Sequence, residues 1–244
     1  MEVRNCKYKI VKYSSNSLFS IEENINNLFG IKKIKFLITL IESGFNLIKM
    51  LHEYKIIHNY INLQSILITK KDFFILSNFS FSFLTNEPID INCIIKGLVP
   101  LYYREILLLD TGTGIFNETH LNKVLDSLTS YFKNTYILEE EELIKCINNY
   151  KLFLKVYLNI EQKQIISDFN NLLFSWDIIS FSFTILTILK NYNYSEPLIN
   201  IRKFFVDLLS PPWNKPIHLL VDQFKDIYLN ASSSSWESLI KINM

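Results

Sequence analysis

Cysteine is scarce in this 244-residue chain, and its three copies, Cys6, Cys93 and Cys146, are odd in number and far apart. They make no C-x-x-C pair and have no neighbouring His, which argues against a disulfide framework and against a zinc site of ordinary spacing. A reducing, cytoplasmic setting is the expectation. Neither sign of charge is in excess, with 25 Lys and Arg against 24 Asp and Glu. No broad electrostatic footprint for nucleic acid or an anionic membrane follows from such a balance. Long hydrophobic runs are missing too: the longest uncharged apolar stretch, residues 178–189, is too short to cross a bilayer. The N-terminal MEVRNCKYKI has no apolar signal-peptide core. No nucleic-acid or membrane partner is therefore expected. Glycine numbers five and alanine one, Ala231, while Ile, Asn, Lys, Phe and Tyr abound. The genetic code produces this bias when the coding DNA is rich in A and T, a hint about source and not about function.

What the chain does have is apolar content, 49% overall and 14% aromatic, far from the signature of disorder. The length supports one sizeable core in a single compact domain. Residues 7–13 alternate polar and apolar side chains and predict a strand, ended by Ser14-Ser15-Asn16-Ser17. From residue 31 to about 54, Ile34, Leu37, Ile38, Ile41, Phe45 and Ile48 recur at helical spacing and predict a long amphipathic helix, with Gly44 as a cost of about 1 kcal/mol inside it. Residues 65–69 and 72–77 read as a β-hairpin turning at Lys70-Lys71, too short to stand alone and so expected to lie on the helix. Helices are predicted over 118–132, 139–158 and 161–174, with Glu139 to Glu142 as a solvated, dipole-compatible start to the second. Residues 176–189 are apolar nearly all round, the pattern of a central buried helix. Further helices are expected around 198–209 and 217–227, and Ser232 to Ser235 reads as a flexible run.

Leu51-His52-Glu53-Tyr54-Lys55-Ile56-Ile57-His58-Asn59-Tyr60-Ile61-Asn62-Leu63-Gln64-Ser65-Ile66-Leu67 resembles the protein kinase segment "LH…IIH-R-D-I-K-P-x-N-I-L" that leads into the catalytic loop. Twenty positions after His58, Ile75-Leu76-Ser77-Asn78-Phe79-Ser80 resembles the strand entering D-F-G, and this separation is about that of kinases. Tyr102-Tyr103-Arg104-Glu105-Ile106-Leu107-Leu108 is similar to Y-R-A-P-E-L-L without its Ala-Pro, and Trp176-Asp177-Ile178-Ile179-Ser180 resembles the D-x-W-S-x-G helix. Glu105 and Asp177 stand 72 positions apart, farther than in kinases, so a helical insertion is expected at about 112–174. Such an insertion is similar to that of kinase-like proteins of large DNA viruses, which would make the setting a host cytoplasm. The implied fold is mainly α (α+β), a protein kinase C-lobe-like helical domain with a small β-hairpin over residues 31–244. Residues 1–30 would be the remnant of the last N-lobe strand and the hinge, with the rest of the N-lobe missing.

The resemblance also implies what has changed. Kinases position a hydroxyl with an Asp, hold Mg²⁺ with an Asn and the D-F-G Asp, and cradle phosphates with a Lys and a glycine loop. Here Tyr60 stands at the catalytic Asp, Asn62 at the loop Lys, Ser65 at the metal-binding Asn and Asn78 at the D-F-G Asp. A phenol is a poor acceptor near neutral pH, and neutral oxygens suit a hard divalent cation badly. No catalytic residue is intact, and no cofactor or metal is expected. Thr111-Gly112-Thr113-Gly114 lacks the context of a phosphate loop and reads as a surface turn. His58, Phe79 and Asp177 match positions that pack the catalytic loop in kinases, Asp177 by bonding its backbone, and Glu105 could pair with Lys215. His52, His120 and His218 read as surface or packing residues. The expectation is a catalytically inactive pseudokinase, a protein-binding scaffold or decoy, with a kinase-family enzyme of residual ATP/Mg²⁺ binding or phosphotransfer as the alternative. A protein partner, or a second copy of the chain, would dock on the upper face near Tyr13, Tyr60, Leu67 and Phe79, unless helices 116–174 fold over it.

Overall fold

The computed structural model describes residues 18–26, 28–69, 73–85, 114–192, 196–213 and 215–242. The strand expected at 7–13, Tyr13, the Lys70-Lys71 turn, Cys6, Cys93, the 102–108 segment with Glu105, and Thr111 to Thr113 lie outside the described residues.

The fold is mainly α with two small sheets. In chain order the elements are β1 (Leu18–Ser20), α1 (Ile21–Asn26), α2 (Gly30–Glu53), β2 (Ile56–Ile57), β3 (Ile66–Thr69), β4 (Phe74–Leu76), a 3-10 turn (Phe79–Phe81) and β5 (Phe83–Leu84). There follow α3 (Glu118–Thr135), α4 (Glu140–Lys155), α5 (Gln162–Asn170), α6 (Leu173–Leu189), α7 (Glu196–Leu208), α8 (Ile217–Leu229) and α9 (Ser233–Ile242). Among the described residues no single helix is long and apolar enough to cross a membrane.

α6 is the centre, buried on nearly every side as its composition requires, and α2 packs along it. Where the two meet, a Cβ on Gly44 would overlap the Phe181 ring, so this glycine permits a close approach that outweighs its cost in helix propensity. Phe45 sits edge-on to Phe181 at 5.4 Å and stacks on Phe205 at 5.9 Å, and Phe204 and Phe224 complete the aromatic cluster that joins α2, α6, α7 and α8.

The expected hairpin forms, with Leu67 opposite Ile75, and β1 adds a third strand to give the order β1-β3-β4. Ile66 and Ile68 point into the core, and Phe36 of α2 meets Phe74 at 5.5 Å, so the short strands do lie on the long helix. A second sheet pairs β2 with β5, Ile57 opposite Phe83. Two-residue strands are below the reach of any periodicity argument.

Three expectations need correction. Residues 161–174 are two helices, because the chain tightens at Asn171 and Leu172 and the axis turns by 74° from α5 to α6, which lets Phe169 and Leu173 both reach the core. Ser232 to Ser235 is a helix start: Ser232 Oγ accepts from Ser235 N at 3.2 Å, and α9 buries Leu239 against α2 and α7. The third concerns the start of α4 and the links that α3 and α4 make. Their polar links run to α6, α7 and the loop that follows. Arg202 of α7, nearly buried, donates from Nε to Glu142 Oε1 at 3.0 Å and from its terminal amine to the Ile137 carbonyl at 2.7 Å. Tyr150 donates to the Leu209 carbonyl at 2.7 Å, and Lys145 meets Asp207 at 2.7 Å. The acidic run at the start of α4 is thus only partly solvated, since Glu142 also accepts from Glu139 N at 2.8 Å.

Candidate functional site

The two sheets bring two short segments together: the loop 58–65, hung between β2 and β3, and the turn 77–82, hung between β4 and β5. Beneath them runs the one polar stripe of α6, Asp177, Ser180 and Thr184, spaced to share a helix face. Asp177 is fully buried. Its Oδ2 accepts from His58 N at 3.0 Å and its Oδ1 from Asn59 N at 2.9 Å, while Thr184 Oγ1 donates to the Ile61 carbonyl at 3.1 Å. Asn59 is held at φ 57°, left-handed backbone that costs a non-glycine residue free energy unless its surroundings fix it. The carboxylate supplies that fixing, since charge-assisted hydrogen bonds are roughly twice as strong as neutral ones.

His58 joins the loop to the turn. Its Nε2 lies 2.9 Å from the Ser77 carbonyl, its ring centroid lies 4.6 Å from that of Phe79, and Ser82 Oγ donates to the His58 carbonyl at 3.0 Å. Burial lowers its pKa, opposed by the Asp177 charge and the Ser77 hydrogen bond. Burial thus favours the neutral ring; the Ser77 carbonyl can only accept, which puts a proton on Nε2, and Nδ1 has no hydrogen-bond partner among the described residues. His52, from the end of α2, stacks against Phe174 and brings Nε2 to 3.5 Å from Asp177 Oδ2, close enough for an ion pair when protonated but not a hydrogen bond. Its link to Asp177 was missed in the sequence. The polar 177, 180, 184 spacing in a mostly apolar helix was the available signal that something polar must sit above it.

The side chains at the positions of chemical interest are spent or bare. Asn62 Oδ1 accepts from Gln64 N at 2.8 Å and Ser65 N at 2.9 Å. Ser65 Oγ, fully buried, accepts from Asn62 N at 2.8 Å and donates to the Asn62 carbonyl at 3.0 Å. Both therefore close their own loop. Tyr60 packs on Phe81 at 5.0 Å, and Asn78 is exposed at φ 63° with no capping bond from its side chain. Phe79 is 45% exposed although one face covers His58. No group of three or more His, Cys, Asp or Glu side chains among the described residues could hold a metal ion. A hard cation would meet neutral oxygens here, most of them already bonded.

No family model, curated protein or solved structure matches the chain. The site has to be read from its own geometry.

Two cavities among the described residues lie away from this loop and turn. One of about 430 Å³ opens between α6, α7 and α8 around Ile178, Lys203 and Trp213, and a neighbour of about 370 Å³ is lined by His52, Phe174 and Lys215. Neither touches Tyr60, Asn62, Ser65 or Asn78. Lys215 donates to Gln223 at 3.2 Å, with its expected partner Glu105 outside the described residues. His120 is a capping residue, its Nδ1 accepting from Asn117 N at 3.3 Å, and His218 is exposed. Gly114 lies in open space at φ 68°, as a surface turn would have it.

Proposed function

We propose that this chain is a protein-kinase-like C-lobe that has lost the chemistry of phosphoryl transfer and serves as a protein-binding module. The observation that carries this reading is the clasp of Asp177 on the His58 and Asn59 amides, with His58 seated on Phe79. Those three residues are the ones the motif resemblance singles out as holding a catalytic loop to its neighbours. The residues it singles out for chemistry support the second half of the reading. Tyr60, Asn62, Ser65 and Asn78 offer no carboxylate, and two of them are consumed by the loop itself. Phe79, with Tyr60 and Leu67 half-buried beside the same loop and strand, gives the face an apolar character suited to a protein partner or a second copy of the chain.

The test is thermal unfolding of the full chain with millimolar ATP, with and without Mg²⁺, because a ligand that binds only the folded state raises the midpoint by mass action. No shift is expected. A Mg²⁺-dependent rise would overturn the inactive reading in favour of a kinase-family enzyme with residual ATP binding. Self-association is read separately by sedimentation: if Phe79→Asp changes the mass of the species, that face joins two copies.

A further inference from the structure

We infer that the contact of His58 with Ser77 and Phe79 is an acid-labile latch, which releases the 77–82 turn from the loop 58–65 while the helical core stays folded. The device follows from what each protonation state can bond. Neutral His58 donates from Nε2 to the Ser77 carbonyl and leaves a bare lone pair at Nδ1, which costs little. The imidazolium would carry a second N–H at Nδ1, in a site with no exposed surface and no acceptor there among the described residues. A buried charge and an unsatisfied donor both disfavour that state.

The groups around the ring decide how far this is offset. α6 contributes Asp177, whose attraction favours the proton but whose two oxygens already hold the His58 and Asn59 amides. α2 contributes His52, whose Nε2 stands 3.5 Å from the same carboxylate. The connection from α2 to β2 adds the exposed Glu53 and Lys55, the loop adds the phenol of Tyr60, and the turn itself contributes no titratable side chain. Desolvation outweighs the favourable terms, and the pKa is lowered from 6.5. The sign is then fixed: the neutral ring stabilises the closed turn above pH 6.5, and that contribution is lost as pH falls below it.

Opening costs less at this turn than in the core helix beneath it. Asn78 and Phe79 are exposed, Asn78 is in left-handed backbone, and the inward anchors of the turn are the His58 contacts, the Tyr60 to Phe81 contact and the Ser77 bonds to Ser65. Few buried contacts define a low-stability segment. The core helix below, with Trp176, Phe181 and Ile185 fully buried, has no such weakness. The latch stands on this geometry and does not depend on the proposed binding role.

Hydrogen exchange of the full chain, corrected for the intrinsic pH dependence of exchange, reads the latch directly. The Ser77 and Ser82 amides, bonded to the Ser65 and Phe79 carbonyls, report on the turn, and the α6 amides report on the core. A ring whose proton is disfavoured in the closed turn, with the ordinary pKa of 6.5 when open, raises the opening equilibrium between pH 7.5 and 5.5, by up to about tenfold. His58→Gln, which can still donate to Ser77 but cannot titrate, should abolish that change. The inference is overturned if the turn stays protected at pH 5.5, if α6 opens in step with it, or if His58→Gln keeps the pH dependence. Should the variant not fold, the wild-type ring resonances decide: a His58 that titrates while the Ser77 and Ser82 amides remain protected equally overturns it.

Discussion

The inner and outer sides of the loop 58–65 are built on opposite principles. On the inner side the polar side chains that α6 sends under the loop are committed to its backbone: Asp177 holds two amides and Thr184 one carbonyl. On the outer side the Asn62 and Ser65 side chains bond only within the loop, and Asn78 is exposed. The contrast teaches that the scaffold of such a site and its chemistry are separable. A buried carboxylate that fixes backbone must stay, because removing it leaves orphaned donors in the core. A carboxylate that would have faced solvent can be replaced by a neutral side chain at almost no structural cost.

Truncating the inner carboxylate is the strongest way to break that contrast. Asp177→Ala leaves the His58 and Asn59 amides buried without an acceptor and relaxes the constraint on Asn59, so unfolding in urea should show a loss of about 3–5 kcal/mol. Asp177→Asn keeps one carbonyl oxygen and should lose roughly half as much. Equal losses in the two variants would mean that packing, and not the two hydrogen bonds, makes Asp177 necessary.

The next largest effect belongs to the contact of α4 with α7. Arg202→Leu removes the bidentate partner of Glu142 and the donor to the Ile137 carbonyl, and a loss of about 2–3 kcal/mol is expected, below the value for a fully buried pair because Glu142 retains partial exposure. If α3 and α4 are integral to the core, urea unfolding of this variant stays a single transition with a lower midpoint. A separate early transition would show a detachable block.

Much of this was legible in the sequence, and the gaps have physical causes. α2 and α6 announced themselves because their burial patterns are long and regular, one amphipathic and one apolar all round. The resemblance to kinase segments had suggested that Asp177 bonds the backbone of the loop 58–65, and Asp177 does accept from the His58 and Asn59 amides. The pairing of β2 with β5 was not, because Ile56–Ile57 and Phe83–Leu84 are too short to carry a period and their register is set by the loop and turn that they flank. Nor was the role of Glu142. A run of four glutamates at a helix start is ordinarily solvated, and only the tertiary placement of Arg202 turns one of them into an ion-pair partner.

Gly44 sharpens the same lesson at a smaller scale. In an isolated helix Gly44→Ala would stabilise by about 1 kcal/mol. Here the added methyl overlaps the Phe181 ring in a close-packed core, so a net loss of about 1–2 kcal/mol is expected in thermal or urea unfolding. Pairing it with Phe181→Leu should show favourable coupling in a double-mutant cycle. Additive losses would mean that the Phe181 contact is not what glycine serves.

The smallest effect on stability falls on the outer side, and it tests the contrast most directly. Asn78→Asp places a carboxylate where the kinase resemblance would have one, on an exposed residue that bonds to nothing from its side chain. Stability should change by less than about 0.5 kcal/mol, as for surface substitutions that touch no special feature. A single restored carboxylate should also leave the melting midpoint with ATP insensitive to Mg²⁺, because Ser65 Oγ and Asn62 Oδ1 remain bonded inside the loop and bring no second ligand to the ion. A Mg²⁺-dependent rise in Asn78→Asp, absent from the parent chain, would show that the outer side lacks one charge and not a whole coordination shell. The separation of scaffold from chemistry would then be a single substitution deep.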